Sequence, residues 1–176
     1  KAGVIKNADG SGFFQIGNTI AYAAVYGPRQ LHPKHMQDPS TGILRCNYNM
    51  MPFSGMGGRV RPGQNRRAKE ISLVTGKALL PVLDLKEFPN SVVDVFIELT
   101  QTDAGSRCAG ICAASIALAD AGVPMKDLVA AVSVGSVDGT IVVDLDYNEE
   151  AYEEGEEGVA DIPIAYIPSL QELSLL

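Results

Sequence analysis

Two stretches of the sequence place arginine where the electrostatics of a helix disfavour it. The residues from Thr102 to Arg107 run into an alanine-rich segment that ends at Gly122 and Pro124, a pattern typical of a helix. Ser106 is the predicted N-cap, because its hydroxyl can accept from backbone N–H groups of the first turn. Arg107 then takes the first helical position, where the positive end of the macrodipole disfavours a cation by about 0.3–1 kcal/mol. A bound anion would remove this conflict, whereas the alternative is a solvated surface arginine.

A second helix repeats the arrangement. It is predicted to begin near Asn65, so that Arg66 and Arg67 are its first residues, directly after the basic glycine-rich loop FSGMGGRVRPGQN. A helix N-terminus supplies oriented N–H donors, and an arginine adds a fork that suits phosphate oxygens. The sequence therefore indicates candidate anion sites at 105–107 and at 66–67, with solvated arginines as the alternative at each.

Carboxylates form the third candidate group. Asp161 lies in ADIP at the entry to a predicted strand, which would hold its side chain rigidly. The glutamates that precede it are Glu149, Glu150, Glu153, Glu154, Glu156 and Glu157. Most of them fit a solvated acidic loop, but Asp161 with one glutamate could hold Mg²⁺ beside a bound phosphate. A helix end that suits phosphate, paired arginines and acidic metal ligands together indicate phosphoryl transfer.

Composition and charge limit the class of protein. The 176 residues are 46% hydrophobic and 20% charged, which predicts one soluble globular domain spanning 1–176. No apolar run reaches the length of a membrane span, and no signal peptide precedes Lys1. The three cysteines indicate a reducing compartment, and Cys108 and Cys112 are interpreted as small buried hydrophobes and not as half of a metal site.

The net charge of −7 argues mildly against a nucleic-acid partner when it is taken as an average. The charge is unevenly distributed, however. Cations are concentrated between Pro28 and Lys77, and acidic residues between Asp138 and Asp161. A local basic surface is therefore compatible with the sequence.

The elements that would position these residues are strands in groups with two interleaved helices. Strand patterns occur in FFQIG, TIAYAAVYG, ILRCNYNM, SVVDVFIELTQ, DLVAAVSVG, TIVVDL, ADIPIAYIP and LQELSLL. Asp138-Gly139 predicts a tight turn between the fifth and sixth of them. This order predicts an α+β fold, a mixed β-sheet with two main helices packed on one face.

Several motifs together resemble the ribonuclease PH family, in particular the catalytic ring subunits of archaeal exosomes. They are YGPRQLHPKH, YNMMPFS, NRRAKEIS, TDAGSRCAG, ALADAGVPMKDLV, VDGTIVVDL and ADIPIA, and they run in order from end to end of the chain. The resemblance implies the S5-domain-2-like fold of that family. Family members usually carry a further N-terminal segment and C-terminal helices, neither of which this sequence contains.

The activity that the resemblance implies is phosphorolytic 3′-to-5′ degradation of RNA, in which inorganic phosphate attacks the terminal phosphodiester and releases a nucleoside diphosphate. Carried over motif by motif, Gly105, Ser106 and Arg107 match the phosphate-binding loop of the family. Arg66 and Arg67 match the pair that grips the RNA backbone. Lys34 matches a basic residue at the narrow neck of the ring, and Asp161 matches an active-site carboxylate.

The sequence departs from the family at the second carboxylate. Relatives commonly carry Glu-Asp and a short spacer before the final aspartate, whereas here Glu149-Glu150 stands at that position and EEGEEG lengthens the gap. Glu150 is our first choice, provided that Tyr152 matches the aromatic residue that follows, and Glu154 is the alternative.

The resemblance also implies partners: RNA, a related inactive subunit that forms a trimer of heterodimers with this chain, and RNA-binding cap subunits, all in the cytoplasm. Two other functions stay open at this point. One is a non-catalytic ring subunit that binds RNA, although the Gly-Ser-Arg loop and the final aspartate are both retained. The other is a homohexameric ribonuclease PH that trims transfer RNA, although HPKH and MPFS favour the exosome subunit.

Overall fold

Two four-stranded sheets with helices between them make up the structure. The computed structural model describes residues 1–56, 58–61, 63–152 and 158–176. The strands are β1 (Gly10–Ile16), β2 (Thr19–Gln30), β3 (Ile43–Met50), β4 (Ser91–Gln101), β5 (Ala130–Val137), β6 (Thr140–Val143), β7 (Val159–Ile167) and β8 (Glu172–Leu175). The helices are α1 (Arg66–Leu79), α2 (Ser106–Asp120) and α3 (Tyr147–Glu150), with short 3-10 turns at 34–36, 80–82 and 85–87.

The first sheet has the strand order β1-β2-β4-β3, and the second has the order β6-β5-β7-β8. The β3–β4 pair is parallel and the other pairs are antiparallel, so the predicted α+β fold with mixed strand pairing is confirmed. The strands divide over two sheets and not one. Helix α2 packs against β1, β2 and β4 on one side and against β5 and β7 on the other. The alternation of apolar residues along a strand marks its buried face but not the sheet to which it belongs.

Helix α2 is the centre of the core, and most of its side chains are buried. Alanine, glycine, serine and cysteine dominate its sequence, which lets backbones approach it closely on every side. A Cβ placed on Gly10 would lie 2.2 Å from the backbone nitrogen of Ala121, and one on Gly12 would lie 2.3 Å from the carbonyl oxygen of Ala113. We call this direct contact between the β1 backbone and α2 the glycine seam.

The start of α2 differs by one residue from the prediction. Gly105 is the N-cap, with φ 51°, and Ser106 is the first helical residue, so the prediction that Ser106 caps the helix is wrong. Ala104 also has a positive φ of 53°. Two successive left-handed residues turn the chain sharply into the helix, and glycine adopts this conformation at little cost. Arg107 therefore stands at the second helical position.

The start of α1 is confirmed. Asn65 is its N-cap, and the Asn65 side chain accepts from the backbone N–H of Ala68 at 2.8 Å. The Asp138-Gly139 turn is confirmed as well, since both residues have positive φ (45° and 75°) and join β5 to β6.

The cysteines are confirmed as small buried or half-buried groups. Cys108 and Cys112 are buried, and Cys46 is half-buried beside α1. Burial raises the pKa of the Cys46 and Cys108 thiols to about 12, so both are protonated at neutral pH. Separately, none of the helices in the described part of the chain is long and apolar enough to cross a membrane.

Candidate active site

A cleft of about 500 Å³ opens at the N-terminus of α2. Its lining residues are Met50, Gly55, Met56, Gly58, Arg67, Thr102, Ala104, Ser106, Tyr147, Glu150 and Ala151. This volume lies within the range of roughly 300–1,000 Å³ that small-molecule sites occupy. The loop after β3, the start of α1, the start of α2 and the short helix α3 all contribute to the walls.

The cleft brings together three of the residues selected from the sequence. Arg67 from α1, Ser106 from α2 and Glu150 from α3 all line it. Arg66 is exposed beside Arg67 but is not a lining residue. Lys34 is exposed in the 3-10 turn after β2 and also lies outside the lining. Residues 153–157, among them the alternative Glu154, lie outside the described part of the chain.

Ser106 at the N-terminus of α2 lines this cleft, whereas its neighbours Gly105 and Arg107 are not lining residues. Gly105 provides no side-chain cap, so the N–H groups of the first turn have no side-chain acceptor within the described residues. Ser106 is buried with its residue surface only 7% exposed. The Arg107 guanidinium lies 3.8 Å from a carboxylate oxygen of Glu70. This loose, half-exposed pair leaves most N–H donors of Arg107 available to an anion.

Carboxylates surround the same helix end. Asp161 on β7 accepts from the hydroxyl of Ser133 on β5, and a Cβ on Gly105 would lie 3.8 Å from the Cβ of Ser133. The Oδ1 atom of Asp144 would lie 3.3 Å from the same Gly105 Cβ. Asp161 is thus held by Ser133 on the neighbouring strand, and Ser133 lies close to Gly105. It is not among the residues that line the cleft itself.

Three carboxylates near the start of α2, those of Asp103, Asp144 and Glu149, repel one another. Burial raises the pKa of Asp144, and the charges of Asp103 and Glu149 raise it further. A divalent cation would relieve this repulsion, and carboxylate oxygens are the donors that Mg²⁺ prefers. The described residues contain no cluster of three metal-ligating side chains. Mg²⁺ commonly uses one or two carboxylates together with substrate phosphates, so the donor set fits this ion.

Helix α3 was not predicted, although its capping sequence was visible. The Asp146 side chain accepts from the N–H groups of Asn148 and Glu149, and the Glu149 side chain accepts from the Asp146 N–H. Such an Asp-x-x-Glu pattern is a capping box. The backbone N–H of Tyr147 also donates to Asp103 at 2.8 Å, which ties α3 to the turn before α2. The dense run of glutamates concealed this signal.

Tyr48 is a second residue that the sequence did not reveal. It is 1% exposed on β3, and its ring packs on α2, where a Cβ on Gly110 would lie 3.5 Å from two ring carbons. Burial raises the pKa of its phenol, and the Ser106 hydroxyl and the charges of Arg67 and Arg107 oppose that rise. The hydroxyl therefore lies behind the cleft, near Ser106. The Tyr48 and Ser106 hydroxyls are not in hydrogen-bond geometry, and within the described residues the Tyr48 hydroxyl has no partner.

We expect Tyr48→Phe to raise the free energy of unfolding by up to about 1 kcal/mol or to leave it unchanged. A buried hydroxyl without a partner costs on the order of 1–3 kcal/mol of desolvation, which the substitution removes without leaving a cavity. Chemical denaturation of the two proteins measures the difference. If Tyr48→Phe lowered the free energy of unfolding by more than about 1 kcal/mol, the Tyr48 hydroxyl would have to be hydrogen-bonded, with Ser106 as the nearest candidate.

Two models of one protein family match this chain. The model described as 3′ exoribonuclease family, domain 1, matches residues 1–124, and the model described as domain 2 of that family matches residues 127–176. Together they cover nearly the whole chain.

Curated relatives resemble the chain along its full length. It is 54% identical over 176 residues to the Exosome complex component Rrp41 of Thermococcus gammatolerans, covering all of this chain and 68% of the relative. The identity to the protein of the same description from Nitrosopumilus maritimus is 50%, covering 70% of that relative. Among solved structures, rice Rrp46 superposes with a TM-score of 0.82 at 23% identity over 99% of this chain and 76% of the rice chain. That likeness bears on the fold alone.

Proposed function

The chain belongs to the 3′ exoribonuclease family, and we propose that the cleft at the start of α2 is where it degrades RNA. It is a phosphate-dependent 3′-to-5′ exoribonuclease of the exosome ring, and inorganic phosphate is its co-substrate. The proposed location of the active site rests on one observation, which is that Arg67, Ser106 and Glu150 all line one cleft.

Gly105, Ser106 and Arg107 bind the attacking phosphate. The uncapped N–H groups of the first turn of α2 suit an anion, and the macrodipole of a long, buried helix adds to the attraction. The Ser106 hydroxyl donates one further hydrogen bond, and the Arg107 guanidinium supplies a charged fork. This assignment also answers the electrostatic conflict in the sequence, because bound phosphate offsets the cation at the positive helix end.

Arg66 and Arg67 hold the RNA backbone near its 3′ end. Successive helical residues point about 100° apart, so Arg67 faces the cleft and Arg66 reaches the surface beside it. Their contacts are with phosphates, which carry no sequence information. Lys34, outside the cleft, would meet RNA before it reaches the site.

The reaction needs no nucleophilic side chain. An oxygen of inorganic phosphate forms a bond to the phosphorus of the terminal phosphodiester, and the bond from that phosphorus to the 3′ oxygen of the preceding nucleotide breaks. The terminal nucleotide leaves as a nucleoside diphosphate, and the new 3′ oxygen takes a proton. Asp161 and Glu150 are the catalytic carboxylates that we assign to the leaving 3′ oxygen.

Asp161 and Glu150 are also the residues that would hold Mg²⁺, together with oxygens of the substrate phosphates. When bound, the ion would stabilise negative charge on the phosphoryl oxygens and on the leaving oxygen. The protein's own contribution is to fix these carboxylates, Asp161 through Ser133 and Glu150 through the capped helix α3.

A ring with other subunits is part of the proposal, because the curated relatives are described as exosome complex components. We propose a trimer of heterodimers with a related inactive subunit, topped by RNA-binding cap subunits. The net charge of −7 makes this chain alone a poor channel for RNA, so a partner would have to complete the basic surface. The cytoplasm is the compartment that we propose, since RNA and inorganic phosphate are available there.

The test of the proposed function is an RNA decay assay with the assembled ring. We expect nucleoside diphosphates to appear from the 3′ end only when inorganic phosphate is present, and we expect the isolated chain to be much weaker. The products are separated by chromatography, which distinguishes diphosphates from the monophosphates of hydrolysis. Release of monophosphates without phosphate, or no release from the ring, would contradict the proposal.

A further inference from the structure

The lining of the cleft has an apolar part that the phosphorolytic roles do not use. Arg67, Ser106 and Glu150 supply its polar groups, whereas Met56 and Tyr147 contribute large apolar side chains that are 63% and 47% exposed. Exposed apolar groups next to convergent polar groups are typical of ligand sites. A nucleotide has the same division, with a flat apolar base and a polar sugar and phosphate.

Tyr147 stands on the same short helix as the candidate acid. It begins α3, and Glu150 is three residues later, so both side chains lie on one face of the helix and both line the cleft. The helix is held by the Asp146 capping box and by the bond from the Tyr147 N–H to Asp103. Asp103 in turn accepts from the Asn18 side chain at 2.9 Å. The backbone that carries Tyr147 is therefore held at a fixed place beside Glu150.

We propose that Tyr147 is the stacking platform for the base of the 3′-terminal nucleotide of RNA. This inference rests on the proposed function, because it uses the placement of the scissile phosphate between Ser106, Arg67 and Glu150. A base stacked on Tyr147 lies one sugar away from that phosphate. Met56, with its polarizable thioether, is a second apolar contact for the same base.

Stacking on an aromatic ring tolerates every base, because each base has a π-face. The subsite thus suits an enzyme that must remove nucleotides of any sequence one after another. It binds the base by apolar contact and not by charge. The salt dependence of RNA binding therefore distinguishes its contribution from that of Arg66 and Arg67. Losing a stacking residue should weaken RNA binding without changing its salt dependence.

The experiment compares Tyr147→Ala and Tyr147→Phe in the assembled ring, with Tyr152→Ala as the matched control. Tyr152 is a nearby tyrosine, 38% exposed, that does not line the cleft. Binding of fluorescent oligo-A, oligo-U and oligo-C is measured by anisotropy over a series of salt concentrations. The KM for phosphate is measured separately.

We expect Tyr147→Ala to weaken binding of all three oligonucleotides by about five- to 150-fold, the range that base stacking supports. The salt slope and the KM for phosphate should stay unchanged, and Tyr147→Phe and Tyr152→Ala should bind like the wild type. Unchanged RNA affinity in Tyr147→Ala would overturn the proposal, as would dissociation of the ring, which would make this surface a subunit contact. Because binding is read without turnover, the result stands apart from the decay assay: a ring that binds RNA through Tyr147 but releases no diphosphates would refute the proposed function and not the platform.

Discussion

The substitution Asp161→Asn is expected to abolish phosphorolysis while RNA binding survives. Asparagine keeps the shape of the side chain and can still accept from Ser133, but it carries no charge and has no proton to give to the leaving 3′ oxygen. Loss of a general acid lowers kcat by about 10²–10⁴-fold. The initial rate of decay at saturating RNA and phosphate measures kcat, and anisotropy measures binding.

The matched control for this change is Asp138→Asn. Asp138 is an exposed residue in the β5–β6 turn with φ 45°, a conformation that asparagine also tolerates. We expect this control to retain wild-type kcat. Glu150→Gln should cost nearly as much as Asp161→Asn. If Glu154→Gln were inactive and Glu150→Gln active, the second carboxylate would be Glu154, and if every one of these carboxylates were dispensable, the chain would be a scaffold subunit.

Replacing Arg107 with alanine is expected to raise the KM for phosphate about ten- to 150-fold, with little change in RNA affinity. The physical reason is that hydrogen bonds to a charged group contribute about 1.5–3 kcal/mol, and here they fall on the small co-substrate. The initial rate as a function of phosphate concentration at saturating RNA gives the constant.

Two variants separate this effect from a general loss of positive charge. Arg66→Ala should weaken RNA binding and flatten its salt dependence while leaving the KM for phosphate unchanged. Glu70→Gln, which removes the 3.8 Å partner of Arg107, should leave the KM for phosphate equal or slightly lower. An unchanged KM in Arg107→Ala would show that the α2 N-terminus binds phosphate without Arg107 or does not bind it.

Local signals in the sequence were sufficient at one helix start and at one turn, where the residue types themselves set the backbone conformation. Asn65 caps α1 because its side chain satisfies an N–H group of the first turn, and Asp138-Gly139 turns because both residues accept positive φ. The Ser106 prediction failed by one residue because a glycine in the left-handed conformation can precede a helix without any side-chain cap. Serine is a good cap by propensity, but the tertiary position of the turn determined the outcome.

The candidate site was partly predictable for a related reason. Sequence patterns indicated Arg67 and Ser106, the resemblance to the family selected Glu150, and the structure places all three in the cleft. Tyr48 and Tyr147 were not predicted, because a strand tyrosine and a tyrosine in an acidic stretch have no pattern that distinguishes them from ordinary residues. Their significance comes from what packs around them. The division of the strands into two sheets was hidden for the same reason, since partners distant in sequence decide it.

The glycine seam also limits the substitutions that can accumulate in this sequence during evolution. Any replacement of Gly10 or Gly12 adds at least a Cβ, and the atoms it would meet at 2.2 and 2.3 Å belong to the backbone of the α2 C-cap residue Ala121 and of Ala113 in α2. A clash with a side chain can be relieved by a compensatory mutation of that neighbour, but a clash with backbone cannot. Substitutions of exposed charged residues can therefore accumulate, whereas substitutions at Gly10 and Gly12 cannot. Because α2 begins at Ser106, the fixed placement of this helix also keeps Ser106 at its place in the wall of the cleft.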